Sequence, residues 1–228
     1  MRTRRVSRWA VGLVALGVVA VLIAWPSDPD PSAPAGTPTV TAAAPVPPPD
    51  APSASVLGSL RVRTADAVAP YRRDAFGEDW DYDPSTGCNT RELVLIDESL
   101  VEPQVDDRCR TTVGRWRSIY DGITTDDPAE LQIDHVIPLA DAWRSGADAW
   151  TDAHRRAFAN DRSSPDTLAA VTGSTNQSKG DSTPDEWLPP EEASWCAYAA
   201  SWVKVKATWD LSVTESERDR LAEVLARC

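Results

Sequence analysis

The hydrophobic pattern of the chain begins with an uncharged run at residues 9–25, preceded by four arginines within the first eight residues. A basic start followed by an apolar run is typical of an export segment. The run is longer than the core of an ordinary signal peptide and slightly shorter than the about 20 residues that cross a bilayer comfortably. Residues 1–25 are therefore predicted to be a signal anchor, which we favour, or a cleavable signal peptide. The rest of the protein would then be extracytoplasmic, held at the membrane or secreted.

Residues 26–55 have no apolar periodicity. They are mostly Pro, Ala, Ser and Thr, with the sequence PVPPP at 45–49. This composition offers nothing to bury and favours extended polyproline segments. We predict a disordered linker, which would serve as a spacer from the membrane or be a tail without a specific role.

The remaining residues, 56–228, are predicted to form one domain. The sequence ELQIDHVI at 130–137 alternates apolar and polar residues, which predicts a strand that Pro138 ends. A second strand is predicted from TLAAV at 167–171, followed by turn residues and by a helix that begins near Asn176. Two strand ends and a helix start would then meet, with room for a metal ion between them.

Other segments of the domain have helical patterns. Residues 139–160 are predicted to be largely helical with an interruption near Gly146, and residues 56–82 to contain a short helix. The apolar run at 93–96 fits a buried strand or a helix turn equally well. Two C-terminal helices follow from apolar residues at helical spacing, the second after a capping box. These residues are Trp195, Tyr198, Trp202, Val205 and Trp209, then Thr214 and Glu217 of the box, then Leu221, Val224, Leu225 and Cys228. The predicted class is α+β.

The four cysteines follow the export segment, and no two of them are spaced as C-x-x-C. Disulfides are therefore expected, in an oxidising compartment. If the two C-terminal helices form an antiparallel hairpin, the start of the first lies beside the end of the second, which pairs Cys196 with Cys228. Cys88 and Cys109 remain as the second pair.

Charge and histidine content limit the chemistry. The chain has 35 acidic and 23 basic residues and a net charge of −12, which argues against tight sequence-independent binding of nucleic acid. It does not argue against catalysis, because a metal ion and one or two cationic side chains suffice locally. The chain has only two histidines, which excludes a three-histidine zinc site. It also lacks the G-x-S-x-G motif that a serine-nucleophile triad would need. A free cysteine nucleophile is not expected in an exported protein. Carboxylate pairs stay open without positive support.

Asp134 and His135, adjacent at a strand end, would project in different directions, so that one can hold a metal while the other faces a water. Further motifs follow in order along the chain. They are CNTR at 88–91, IDHVIPLADAW at 133–143, FAND at 158–161, NQSKGD at 176–181 and WLPP at 187–190. On these motifs the chain resembles the HNH, or ββα-metal, endonucleases, and specifically the exported branch related to the C-terminal domain of GmrSD restriction enzymes. The resemblance covers about 60 to 228.

The resemblance implies a ββα-metal core within residues 130–190. Asp134 and Asn176 would be the protein ligands of one divalent cation, Mg²⁺ or alternatively Mn²⁺, both of which prefer oxygen. His135 would be the general base towards the attacking water, and Lys179 would contact a phosphate. The less favoured alternative is a satisfied hydrogen-bond network at the strand end, with Lys179 in solvent.

The sequence departs from the family pattern where a middle asparagine usually orients the base histidine. Thr167 stands in that position, and Asn160 is the alternative that could reach in from the preceding insertion.

The expected function is an exported endonuclease that hydrolyses the phosphodiester bonds of DNA, with RNA as a further substrate. The alternatives are a catalytically weakened HNH-fold interaction module at the cell surface and a secreted nuclease toxin. The oligomeric state is left open.

Overall fold

The structure is a computed structural model that describes residues 52–64 and 69–228. The predicted anchor or signal peptide at 1–25, and nearly all of the predicted linker at 26–55, lie outside the described residues. The first described helix begins at Pro52, so the expected boundary at 55/56 falls inside it. Within the described part of the chain, no helix is long and apolar enough to cross a membrane.

The described residues form helices and short antiparallel strands, which confirms the α+β class. The helices are α1 (Pro52–Ser59), α2 (Thr90–Asp97), α3 (Leu139–Arg144), α4 (Asp152–Ala159), α5 (Gly173–Lys179), α6 (Trp195–Thr208) and α7 (Glu215–Leu225). The strands are β1 (Gln104–Val105), β2 (Thr111–Val113), β3 (Trp116–Arg117), β4 (Thr124–Thr125), β5 (Leu131–His135) and β6 (Leu168–Thr172). Short 3-10 turns lie at Arg73–Phe76, Pro128–Glu130, Ala147–Ala149 and Glu192–Ser194. The strands pair as β1–β2, β3–β4 and β5–β6.

The β5–β6 pair lies at the centre of the fold. Leu131 pairs with Thr172 and His135 with Leu168, so the strands run antiparallel over their whole length. Both faces of β6 are buried, because its alternate residues pack into two different clusters. Leu168 and Ala170 contact the cluster that includes Val94, Leu95 and Trp116 of α2 and β3. Ala169 and Val171 face the larger core built from α1, α3, α4, α6 and α7. This explains why β6 is a continuous apolar run.

Helix α5 follows β6 without a loop. It begins at Gly173, three residues before the predicted start at Asn176, so that prediction was wrong. The hydroxyls of Thr172 and Thr175 donate to the Asp121 carboxylate, which lies between β3 and β4. The threonines that suggested a turn thus anchor the first turn of the helix, and Asn176 lies inside it.

The structure decides two predictions, the conformation of residues 93–96 and the helix interruption near Gly146. Residues 93–96 belong to α2, whose first turn is capped by the Asn89 side chain accepting from the Glu92 amide at 2.9 Å, so the helical alternative is the correct one. The expected interruption near Gly146 is confirmed, because Gly146 has φ +133° and separates α3 from the next helical turn.

The C-terminal hairpin agrees with the sequence prediction. Helices α6 and α7 pack against each other, and α7 begins with the predicted capping box of Thr214 and Glu217. Both predicted disulfides, Cys88–Cys109 and Cys196–Cys228, are present. The second joins the start of α6 to the residues after α7, where the antiparallel hairpin places them.

The disulfide of the hairpin closes a separation of 32 residues. Replacing Cys196 and Cys228 together by alanine is expected to lower the free energy of unfolding by about 3 to 4 kcal/mol, because the unfolded chain regains loop entropy. Denaturant unfolding measures the loss. Under reducing conditions the double variant and the wild type should differ little, and a large difference that persists there would contradict the account.

Glu98, directly after α2, covers the free edge of β6. One of its carboxyl oxygens accepts from the Ala170 amide at 2.9 Å. Burial raises the pKa of Glu98 to about 7, with the nearby Asp97 charge adding to the effect and the Ala170 hydrogen bond opposing it. The folded protein therefore binds this proton more tightly than the unfolded chain does.

Stability from Glu98 should accordingly be complete below the ordinary carboxyl pKa of 4.5 and lost as the pH rises through about 7. The loss amounts to about 3 kcal/mol at most. In Glu98→Gln, which keeps the acceptor and cannot ionise, the free energy of unfolding should fall less between about pH 5 and pH 8 than in the wild type. Urea unfolding across that range measures both slopes. The exposed Glu102→Gln is the charge-matched control, and equal slopes in the wild type and Glu98→Gln would refute the assignment.

Candidate functional site

The end of β5 carries a buried carboxylate that is fully engaged by protein groups. One oxygen of Asp134 accepts from the Tyr120 hydroxyl at 2.7 Å and lies 2.8 Å from the Lys179 ammonium, which also donates to the other oxygen at 3.1 Å. Burial raises the pKa of Asp134, and the Lys179 charge, with the hydrogen bonds from Lys179 and Tyr120, opposes that effect. Lys179 and Tyr120 therefore stabilise the ionised carboxylate where solvent cannot.

Lys179 lies beneath this carboxylate and away from the surface. Its side chain is 0% exposed. Besides both oxygens of Asp134, it contacts the His135 carbonyl oxygen at 2.9 Å, which gives its three N–H groups three acceptors. Lys179, which was predicted to contact a phosphate, is thus buried inside the site and holds the end of β5 in place.

The His135 ring is held by a backbone carbonyl and by an aromatic stack. Its Nε2 lies 2.9 Å from the carbonyl oxygen of Ala159 at the end of α4. Because a carbonyl only accepts, this contact assigns the proton to Nε2 and leaves Nδ1 as the acceptor. The Trp80 ring stacks on the imidazole with a centroid distance of 5.3 Å and an interplanar angle of 14°. The ring orientation is therefore fixed from two sides.

Burial lowers the pKa of His135 to about 3. The hydrogen bond to Ala159 opposes this shift, while the charges of Arg73 and Lys179 contribute to it. The imidazole is consequently neutral near neutral pH, which is the form that a general base needs.

Neither Thr167 nor Asn160 hydrogen-bonds the His135 side chain, although Asn160 lines a cavity of about 120 Å³ with it. The Thr167 hydroxyl donates to Asp161 at 2.9 Å, and its carbonyl accepts from Val136 in continuation of the β5–β6 pairing. The Asn160 side chain accepts from the Asp81 amide at 2.9 Å and from the Thr90 hydroxyl at 2.8 Å. Both residues tie neighbouring segments together, and the orienting contact to the histidine comes from Ala159.

Asp134, His135 and Asn176 line one cavity of about 390 Å³ at the meeting point of β5 and α5. The Asn176 amide nitrogen donates to the Gln132 side chain at 2.9 Å, so its carbonyl oxygen is not engaged by that contact. Three of the residues singled out from sequence are thus brought together. Arg73 and Tyr71 also line this cavity.

The donor chemistry of the cavity fits a divalent cation that prefers oxygen. The Asp134 carboxylate and the Asn176 amide carbonyl are hard oxygen donors. Within the described residues, no cluster of three or more His, Cys, Asp or Glu side chains could form a metal site by itself. Water and a phosphate oxygen would complete the coordination of an ion held by these two residues.

Sequence reasoning missed the residues that hold the site in place. Tyr120 lies between β3 and β4, where the pattern gave no functional indication, and Trp80 lies in a polar stretch before Cys88. The contribution of Ala159 comes from its backbone, so no side-chain motif could reveal it. The one sequence signal that could have pointed to Tyr120 is an aromatic residue within the polar stretch after β3. In the structure this tyrosine is 0% exposed.

Comparisons with known proteins identify the family of the chain. The family described as the C-terminal domain of GmrSD restriction endonucleases matches residues 97–224. An uncharacterized secreted protein of Arthroderma benhamiae (strain ATCC MYA-4681 / CBS 112371) is 46% identical over 185 residues, which cover 79% of this chain and 89% of that protein. No solved structure matches the chain significantly. The chain belongs to the family of the C-terminal domain of GmrSD restriction endonucleases, and the expected resemblance is confirmed.

The pairing of Lys179 with Asp134 should matter strongly for folding. Lys179→Met leaves a buried carboxylate without its countercharge and is expected to cost about 3 to 5 kcal/mol of unfolding free energy. Asp134→Asn removes the charge from the other side, and the double variant should lose less than the sum of the two single losses. Denaturant unfolding of the four proteins gives the coupling energy.

Arg144→Met is the matched control for Lys179→Met. Arg144 pairs with Asp181 at 2.9 Å on the surface, and its loss should cost less than about 1 kcal/mol. Additive losses for Asp134 and Lys179 would show that the pair is not coupled.

Proposed function

We propose that this protein is an exported endonuclease of the ββα-metal (HNH) type that hydrolyses phosphodiester bonds of DNA, with RNA as a further substrate class. The observation that carries the proposal is the cavity that Asp134, His135 and Asn176 share at the meeting point of β5 and α5. Membership in a restriction-endonuclease domain family supports the nuclease class. The order strand, strand, helix supports the ββα assignment.

In this mechanism each residue has a separate task. Nδ1 of neutral His135 accepts the proton from a water that attacks the phosphorus, while the bond from phosphorus to the 3′-oxygen breaks and that leaving oxygen takes a proton from solvent. Nε2 keeps its proton because the Ala159 carbonyl accepts from it, so the ring stays in one tautomer and one orientation. Trp80 stacks on one face of the ring and keeps it in place. Asp134 and Asn176 would hold a divalent cation, Mg²⁺ or Mn²⁺, which when bound supplies charge stabilisation at the phosphate.

Lys179 and Tyr120 act on Asp134 rather than on substrate. They supply a countercharge and hydrogen bonds to its carboxylate, which lines the cavity. In this account Lys179 is a positioning residue, which replaces the phosphate contact expected from the sequence. Thr167 and Asn160 also act indirectly, because each joins segments of the chain next to His135.

Export is part of the proposal. Two disulfides and the basic, apolar N-terminus support an extracytoplasmic location. The printed name of the Arthroderma benhamiae relative describes that protein as secreted, which supports the same location here. If residues 1–25 are not cleaved, they would attach the protein to the membrane.

A second candidate is an interaction module that keeps this fold without catalysis. The observation that favours it is the Lys179 ammonium, which already neutralises the Asp134 carboxylate and would compete with a cation. The precise hold on His135 favours the enzyme, because a scaffold has no need of a fixed, neutral imidazole. A metal titration separates the two, since the module need not bind an ion.

The nuclease proposal predicts metal-dependent cleavage by residues 26–228, which keep α1 whole, with both disulfides formed. Supercoiled plasmid and an RNA transcript would be incubated with Mg²⁺ or Mn²⁺ and with a chelator. His135→Ala should lower the cleavage rate by about 100-fold or more, because the water loses its base.

The matched control is His154→Ala, which removes the other histidine, an exposed residue of α4 packed on Trp150. This variant should cleave at the wild-type rate. Wild-type cleavage that persists in the chelator, or in His135→Ala, would refute the assignment.

A further inference from the structure

An acidic enzyme acting on nucleic acid needs a cation beside its catalytic histidine. Lys179 cannot serve in the described arrangement, because its ammonium is buried under Asp134. Arg144 lies nearby, but it is paired with Asp181 at 2.9 Å. Among the described residues that line the 390 Å³ cavity, Arg73 is the one with a basic side chain.

Arg73 bridges two cavities that share His135. It lines the large cavity with Asp134 and Asn176, and it also lines a neighbouring cavity of about 120 Å³ beside Trp80. A guanidinium at this position borders the same two cavities as the imidazole, where it can meet a phosphate bound beside the ring.

The Arg73 backbone is anchored although the side chain is exposed. Arg73 opens the 3-10 turn Arg73–Phe76, and Phe76 is 1% exposed. The Phe76 ring packs 6.2 Å from Trp143 and 6.3 Å from Phe158, centroid to centroid. The guanidinium is thus presented from a fixed turn, which reduces the entropy that binding a ligand would cost.

Arg73 also differs from its neighbour in having no carboxylate partner among the residues that the structure describes. Arg72 lies 3.4 Å from Asp74 and lines neither cavity. In the described ranges 52–64 and 69–228, no carboxylate oxygen lies within 4.0 Å of the Arg73 guanidinium. Its guanidinium contacts the Tyr71 hydroxyl but is not neutralised by a carboxylate, and its remaining donors can match two oxygens of a phosphate.

We propose that Arg73 binds the phosphodiester of a nucleic-acid strand in the His135 cavity, through its non-bridging oxygens. The inference rests on the proposed function and adds the group that recognises the substrate. Arg73 lies outside residues 97–224, so this contact would come from the segment that precedes the matched domain. Tyr71, whose ring packs edge-on to Trp143 at 6.2 Å, forms the adjoining rim of the same cavity.

The test compares Arg73→Ala with the matched control Arg72→Ala, which removes the same charge one residue away. Binding of a labelled DNA oligonucleotide is measured in chelator, where no cleavage occurs, and cleavage kinetics are measured with Mg²⁺. Arg73→Ala should weaken binding and raise KM by about 10-fold or more, the effect expected for a charge-assisted contact. The salt slope of log binding should fall by about 1. Arg72→Ala should stay within about 2-fold of the wild type.

Both variants should unfold at the wild-type denaturant midpoint, because both side chains are exposed. The inference on Arg73 is overturned if the wild type cleaves and Arg73→Ala binds and cleaves equally well, or if Arg72→Ala weakens binding as much. If the wild type cleaves nothing but binds DNA in an Arg73-dependent way, the phosphate site stands and the proposed nuclease function fails. If Arg73→Lys restores part of the binding, a cationic contact at this position is supported.

Discussion

The buried ion pair between Lys179 and Asp134 is the interaction on which the site depends. A carboxylate taken out of water is costly unless charge and hydrogen bonds replace the lost solvent. Here α5 supplies the ammonium and the β3–β4 connection supplies the Tyr120 hydroxyl, so three segments must meet at the end of β5. Because Lys179 fixes the position of α5, Asn176, one turn earlier on the helix, comes to the cavity beside Asp134.

The same strand end fixes the histidine by different means. Lys179 also holds the His135 carbonyl, while the ring is held by the Ala159 carbonyl and by Trp80. A backbone acceptor needs no particular side chain, so the absence of an asparagine at the expected position does not leave the ring free. The segments around it are joined by the Asn160 side chain at the end of α4.

Local patterns were sufficient to predict the strands β5 and β6, the C-terminal hairpin and both disulfides, because each depends on periodicity or on the ends of neighbouring helices. The start of α5 was predicted too late, since its threonines bond to Asp121, a residue far away in sequence. The contacts of Lys179 and Tyr120 with Asp134 were not predicted for the same reason, because they join residues that are distant in sequence. A lysine three residues after a predicted metal ligand looks like a surface cation until its burial is known.

The distribution of charge limits how this protein would attract nucleic acid. The chain is acidic overall, so attraction of nucleic acid would come from a few groups at the cavity rather than from a broad basic face. The cavity combines a held carboxylate, a neutral imidazole, an amide oxygen and one arginine at the rim. This arrangement suits a transient catalytic contact better than tight storage of a polyanion.

The most direct measurement of the central claim is a Mn²⁺ titration of the folded, disulfide-bonded domain, followed by electron paramagnetic resonance. The account predicts one bound ion per chain in the wild type and loss of that binding in Asn176→Ala, a partly exposed position that should leave the fold intact. Absence of binding by the wild type, or unchanged binding by Asn176→Ala, would contradict the assignment of Asp134 and Asn176 as the metal ligands.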